Sequence, residues 1–354
     1  MEKLRIGVIG TGNISNCHME GYTAIPDLVE VVACCDLDRK KMDAWAERWG
    51  VKNKYTDYNE MLAKENLHAV SVCTWNAAHK APTVAALKAG CNVICEKPMA
   101  MNASEAEEML AAAKESGKIL QIGFVRRFGA DADHIKELTA SGVMGDIYYA
   151  KATYLRKNGC PGGWFADKRY SGGGPLIDLG VHVIDLSRYL AGSPKPVSVF
   201  GVTYNNLGPD RAKGFKPAWV VEYKDNQFEV TTEDMASAMV RFDNGFTLYV
   251  EASFNLNIKE DCGRVELFGT KAGAKLEGPL EIYTDLGGFF ANCEIQGKTY
   301  FDMDAFRDEI AGFVNATIGN CECRATGEDG LALMKILDAI YESAETGKSV
   351  DINW

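Results

Sequence analysis

Short apolar runs alternate with amphipathic segments from the first residues of the chain. Leu4–Ile9, Val29–Cys35, Ala69–Cys73, Cys91–Cys95 and Ile119–Gly123 have strand length and are nearly continuously apolar, the pattern of strands buried on both faces. Helical periodicity fills the gaps, in a helix ending near Ala24, over Asp57–Lys64 and Lys80–Ala89, and from a cap at Asn102 or Ser104 to Ser116. Gly90 and Gly117 stand where two of these helices should stop. Strict alternation of the two patterns predicts a doubly wound parallel sheet of the Rossmann type.

After Gly123 the rhythm changes. A helix over Ala130–Ser141 and a strand over Ile147–Leu155 lead through a glycine-rich loop to Ser171-Gly172-Gly173-Gly174-Pro175. Pro175–Tyr189 reads as a helix, with proline in the first turn, where its missing N–H costs nothing. Ala236–Phe242 and Phe246–Ala252 alternate around Asp243-Asn244-Gly245, a β-hairpin. Strands near Val265–Phe268 and Leu280–Thr284 follow, and amphipathic helices over Asp304–Ile318 and Glu328–Glu345 close the chain. The expected architecture is α/β: a Rossmann domain over residues 1–123, then an α+β domain over 124–354 with a large, mostly antiparallel sheet. One face of that sheet would be free to bind a subunit. The boundary has no flexible composition, so the domains are expected to pack together with a cleft between them.

Composition narrows the function classes. At 354 residues, 47% hydrophobic and 25% charged, the chain is an ordinary globular protein. A net charge of -11 argues against nucleic acid as a partner, and no basic amphipathic segment points to a membrane. The N-terminus runs directly into a strand pattern rather than a signal peptide. Its 11 cysteines are odd in number, irregularly spaced and concentrated in the predicted strands, which reads as reduced thiols in a cytoplasmic protein. No ligand set for a metal is evident, Cys321-Glu322-Cys323 included.

Candidate chemistry collects at the carboxyl ends of the predicted strands, where open α/β sheets bind ligands. Gly10-Thr11-Gly12-Asn13-Ile14-Ser15 is a dinucleotide-type turn with serine for the third glycine. Asp36 ends the second strand near the spacing of the acid that accepts from a ribose 2′-hydroxyl and repels a 2′-phosphate. NAD is therefore expected over NADP, with Arg39, Lys40 and Lys41 read as a solvated helix face. Thr74-Trp75-Asn76 and Glu96-Lys97-Pro98 end two further strands. A lysine between a strand end and a proline sits on stiff backbone, which suits a reacting group.

A second cluster lies in the other half. Asp178, His182 and Asp185 fall on one face of an otherwise apolar helix. A carboxylate and an imidazole one turn apart in such a helix are costly unless hydrogen-bonded to each other in the core or engaged in chemistry.

Together these residues resemble the glucose–fructose oxidoreductase/inositol dehydrogenase (Gfo/Idh/MocA) family over essentially the whole chain. The resemblance is carried by Gly10–Ser15, Glu96-Lys97-Pro98 and the Gly172–His182 segment with its D-x-x-x-H. It implies NAD-dependent oxidation of a secondary hydroxyl on a sugar, glycoside or cyclitol. Lys97 would polarise the reacting oxygen, His182 would take its proton, and Asp178 would orient the imidazole or hold a neighbouring hydroxyl. Thr74, Asn76 and His79 match a T-x-N-x-x-H segment lining the nicotinamide side, with Trp75 where proline is common. Gly10, Gly12, Asn13, Ile14, Asp36, Glu96 and Lys97 complete the expected cofactor set. Arg127 matches a position that often reaches substrate, and Tyr154, Arg156 and Trp164 are placed beside it by position. Substrate choice would rest on the Arg156–Ser171 and Tyr204–Val221 loops. The resemblance also implies a homodimer or homotetramer built through the C-terminal sheet. Two other readings remain at this point: redox-assisted glycoside cleavage on the same scaffold, and a non-catalytic NAD-binding regulator.

Overall fold

A computed structural model describes residues 2–208 and 228–354. The chain divides into two compact units, residues 1–128 with 303–331, and residues 129–302 with 332–354.

The first unit is the doubly wound sheet. In chain order it contains β1 (Leu4–Ile9), α1 (Asn13–Ala24), β2 (Val29–Cys35), α2 (Arg39–Trp49), β3 (Asn53–Tyr55), α3 (Tyr58–Lys64), β4 (Ala69–Val72), α4 (Lys80–Lys88), β5 (Asn92–Cys95), α5 (Ala103–Ser116) and β6 (Leu120–Ile122). All six strands are parallel, in the order β3-β2-β1-β4-β5-β6. The helix ends follow the local sequence. Asp38 accepts from the amides of Lys40 and Lys41, Asn102 from that of Glu105, and Gly50 and Gly117 close their helices with left-handed backbone. Lys40 and Lys41 are thus the capped first turn of α2, with exposed side chains.

The division differs from the break expected after residue 123. Helix α9 (Asp304–Thr317) belongs to the first unit, where Ile310, Phe313 and Val314 join Ile6, Val8 and Tyr22 in one core cluster. The approach to α1 is close enough that a Cβ on Gly21 would stand 2.6 Å from Ile310 Cβ. An amphipathic period declares that a helix has a buried face, not which sheet buries it. Helix α10 (Gly327–Thr346) begins in this unit and continues in the second from Ala332.

The second unit holds α6 (Ala130–Ala140), β7 (Ile147–Leu155), α7 (Lys168–Ser171), α8 (Val181–Leu190), β8 (Pro196–Tyr204), β9 (Met235–Phe242), β10 (Thr247–Ser253), β11 (Cys262–Gly269), β12 (Ala272–Leu276), β13 (Glu281–Leu286), β14 (Phe289–Glu294) and β15 (Val350–Asp351). These strands form one sheet, β14-β13-β12-β11-β7-β10-β9-β8-β15, antiparallel except for the β7–β10 pair. The predicted hairpin is β9–β10, in register with Leu248 opposite Val240. Of the Tyr204–Val221 loop, residues 209–221 lie outside the described residues. Among the described residues no helix is long and apolar enough to cross a membrane, and no cluster of metal-ligating side chains occurs. All the cysteines are free thiols.

Candidate active site

In the first unit the strand register decides where the chemistry gathers. Ile9 pairs with Cys35 on one side and with Val72 on the other, and Val72 pairs with Cys95. Four strands therefore end at one level, which brings Gly10, Asp36, Thr74 and Glu96-Lys97 to a single edge of the sheet. The order reverses between β1 and β4, the point at which such sheets open a crevice. Gly10 sits there at φ +91°, and a Cβ on it would stand 2.5 Å from the carbonyl oxygen of Cys73, so only glycine fits.

The cradle beyond Gly10 suits a dinucleotide. No atom lies within 4 Å of where a Cβ on Gly12 would be, so the backbone faces open space. Gly12 precedes α1 with no side chain capping the helix, which leaves the first amides of α1 available to a pyrophosphate. Asn13 is exposed, Ile14 is half-buried, and Ser15 donates to the carbonyl of Gly12 at 2.6 Å. Asp36 is tied to the same turn: its Oδ2 accepts from the amide and hydroxyl of Thr11 at 2.7 and 2.8 Å, and its Oδ1 from the amide of Asp38 at 2.9 Å. Those bonds fix a carboxylate at the end of β2, where a ribose would lie.

The other two loops are stapled to each other. His79 is buried, with Nδ1 2.7 Å from the carbonyl oxygen of Pro98 and Nε2 3.1 Å from that of Thr74. Burial lowers its pKa, against the pull of those two carbonyls. His79 thus ties the Thr74 loop to the Lys97-Pro98 junction, whose peptide bond is cis. Asn76 is buried, Trp75 is 38% exposed and Lys97 is half-buried.

Beneath Lys97 lies a polar network that sequence reasoning missed. Glu96 is buried, and its Oε2 accepts from the Lys97 amide at 3.2 Å. Its Oε1 is 2.9 Å from His18 Nε2, while His18 Nδ1 is 3.0 Å from Ser71 Oγ, itself 2.8 Å from the Tyr22 hydroxyl. One direction of donation satisfies every member: Tyr22 to Ser71, Ser71 to His18, His18 to Glu96. The available signal was a histidine at the buried position of α1 beside Cys17 and Tyr22, where an apolar residue would be the default.

Arg127 is placed otherwise than expected. It is 1% exposed, with its Nη1 2.8 Å from both the Asp329 carboxylate and the Arg324 carbonyl oxygen, and its guanidinium lies over Phe124. That guanidinium clamps the start of α10 inside the first unit.

The second unit builds its own cluster. Leu176–Gly180 is wound as a π-turn that runs into α8, where one continuous α-helix was expected. Such turns insert a residue and re-aim the side chains around them. Asp178, within the turn, is buried, and His182, in the first turn of α8, is half-buried. Leu179 packs with Cys160, Ala166 and Phe254, and Tyr154 lies against that cluster, so Tyr154 and the D-x-x-x-H turn are neighbours. Trp164, in the turn Gly163–Ala166, stacks on Phe165 with centroids 3.8 Å apart. Arg156 is engaged with its own loop. Its Nη1 donates to Gly159 at 3.0 Å, and its guanidinium lies 5.4 Å from the Tyr154 ring.

Comparison with known proteins matches residues 4–124 to an oxidoreductase family with an NAD-binding Rossmann fold, and residues 132–275 to the GFO/IDH/MocA C-terminal domain. A D-glucoside 3-dehydrogenase of Escherichia coli (strain K12) is 35% identical over 351 residues, spanning 99% of this chain and 97% of that relative. The chain belongs to the GFO/IDH/MocA family. A myo-inositol 2-dehydrogenase of Thermotoga maritima is 26% identical over 356 residues, covering 99% of this chain and 98% of its own length. The solved structure of levoglucosan dehydrogenase in complex with NADH and L-sorbose aligns over both full chains, with a TM-score of 0.86 and 25% identity. This GFO/IDH/MocA protein is accordingly an NAD-binding oxidoreductase. The open backbone at Gly12, the uncapped start of α1 and the anchored Asp36 are the features that fit the cofactor.

Proposed function

We propose that this oxidoreductase oxidises a secondary ring hydroxyl of a glucoside or a closely related sugar or cyclitol. The observation that carries the reading is the position of Lys97, a lysine on stapled backbone at the same sheet edge as the dinucleotide turn. A bound NAD would supply the hydride acceptor for the carbinol carbon. The Lys97 ammonium donates to the substrate oxygen and stabilises its developing negative charge. His182 accepts the hydroxyl proton, since an imidazole titrates near the working pH. Asp178, one turn before it, orients the imidazole or holds an adjacent hydroxyl. Tyr154 and Trp164 offer aromatic faces suited to a sugar ring. The glucoside class is supported by the 35%-identical relative, a D-glucoside 3-dehydrogenase.

Incubation with NAD and a panel of methyl glucosides, free hexoses, inositols and nucleotide sugars, followed by absorbance at the NADH band and product mass, tests this. The expected result is NADH formed one-for-one with a product two mass units lighter. Sugar released without net NADH would instead identify redox-assisted cleavage, in which a ring ketone acidifies the neighbouring C–H and the cofactor is restored. NAD binding without turnover across the panel would overturn both readings.

The C-terminal sheet supports a homo-oligomer. The register aligns Phe200, Met239 and Tyr249 in one cross-strand row that continues through Lys151, Glu266, Lys275 and Glu281. Phe200 and Met239 are about half exposed. A row apolar at one end and alternating in charge along the rest can pair with its own copy about a two-fold axis. Light scattering should give at least twice the monomer mass, and Met239→Lys should lower it; a monomeric wild type would remove the proposal.

A further inference from the structure

The start of the Asp178/His182 helix is held by a carboxylate from a distant part of the chain. Glu233, just before β9, accepts at Oε2 from the Gly174 amide at 3.0 Å and at Oε1 from the Leu176 amide at 3.3 Å. The same Oε1 accepts from the Tyr341 hydroxyl of α10 at 2.9 Å. Pro175 has no N–H, so Glu233 takes both amides that flank it, donors that the start of a helix otherwise leaves unpaired. The Gly174 carbonyl then accepts from the Asp178 amide at 3.1 Å, which opens the helical ladder.

The glycine run is shaped around this arrangement. A Cβ on Gly173 would overlap the Tyr341 hydroxyl, and one on Gly174 would overlap the carbonyl oxygen of Glu233. Glycine is needed there for close approach rather than for flexibility. Burial pushes the Glu233 pKa up while its three hydrogen bonds oppose the rise. A carboxyl group buried in this way, with three donors aimed at it, is costly unless it holds the segment around it.

The π-turn supplies the reason for the device. A turn wound one residue wider than α has a ready alternative, the plain α-helix, in which Asp178 would face differently relative to His182. We propose that Glu233 and Tyr341 form a latch that fixes the register of the π-turn, making them positioning residues for the oxidation. This rests on the proposed roles of His182 and Asp178. The latch removes no proton and touches no substrate; it acts through the helix it holds.

The test uses the full-length protein with NAD and a methyl D-glucoside, in wild-type and His182→Ala backgrounds. In the wild-type background, Glu233→Ala should lower kcat by ~10²-fold, the loss expected from a displacement of about an ångström, and Tyr341→Phe by roughly 10-fold. The KM for NAD should stay unchanged, because the dinucleotide turn lies in the other unit. Glu233→Gln, which keeps one acceptor oxygen, should recover part of the loss. In the His182→Ala background Glu233→Ala should cost far less than in the wild-type background, since the latch acts largely through that residue. Hydrogen exchange at the Leu176–His182 amides, read without substrate, should accelerate in Glu233→Ala and Tyr341→Phe. Unchanged exchange would overturn the latch whether or not the glucoside reacts, and so would an equal kcat loss in both backgrounds. A wild type that turns over no glucoside would defeat the functional reading, while exchange would still decide the latch.

Discussion

Lys97→Ala should lower kcat by about 10²–10⁴-fold, the range for loss of a positioned acid–base group, while NAD still binds. The two effects separate because different residues carry them. On the proposed reading the Gly10–Gly12 turn and the start of α1 would hold the pyrophosphate and Asp36 the ribose, and none of these depends on the Lys97 side chain. In the proposed reaction the ammonium would instead stand where charge develops on the substrate oxygen, so its removal would raise the barrier without weakening the ground state equally. Lys97→Arg should recover only a small part of the rate, because a planar fork does not replace a compact point charge. His182→Ala should fall in the same range, since on the proposed reading it removes the proton acceptor. Steady-state kinetics with the panel substrate, beside a fluorescence titration of NADH, would measure both. Full turnover in either alanine variant would sink the assignment of roles.

What the chain declares about itself depends on how local the physics is. The parallel sheet was legible because each strand is an apolar run between capped helices, and the strand ends named the edge at which Gly10, Asp36 and Lys97 meet. The hairpin around Asp243-Asn244-Gly245 was legible for the same reason. What escaped was long-range. Helix α9 announces an apolar face but not its partner, so its place in the first unit was hidden. Arg127 finds its carboxylate at Asp329, 202 residues along, so the sequence leaves its partner open and resemblance alone pointed it toward substrate. The π-turn at Leu176–Gly180 has the same apolar pattern as an α-helix, and the glutamate bonded at its start comes from near β9. The charged groups at the strand ends and on the second unit's helix could be read from the sequence as residues; the distant groups that hydrogen-bond to their segments could not.

His18 makes the point energetically. His18→Leu should destabilise the protein by about 3 kcal/mol, although the histidine reaches no surface and leucine is the more usual core residue. The replacement fills much of the volume but takes Nε2 from Glu96 Oε1 and Nδ1 from Ser71 at once. A buried carboxylate oxygen then faces apolar surface, with little room for rearrangement. The carboxylate stands 3.2 Å from where a Cβ on Gly123 would lie, and its other oxygen is held by the Lys97 amide. Tyr22→Phe, at the far end of the chain of donors, should cost only about 1 kcal/mol, because it deletes one neutral hydrogen bond and strands no charge. His18→Leu combined with Glu96→Gln should cost less than the sum of the single changes, since with the charge gone the histidine has less to satisfy. Urea unfolding of these variants and of Glu96→Gln alone orders these costs. If His18→Leu unfolds at the wild-type midpoint, the network is not what holds Glu96. If it unfolds early and also loses turnover at temperatures where it remains folded, the same four residues both stabilise the first unit and set the backbone from which Lys97 acts.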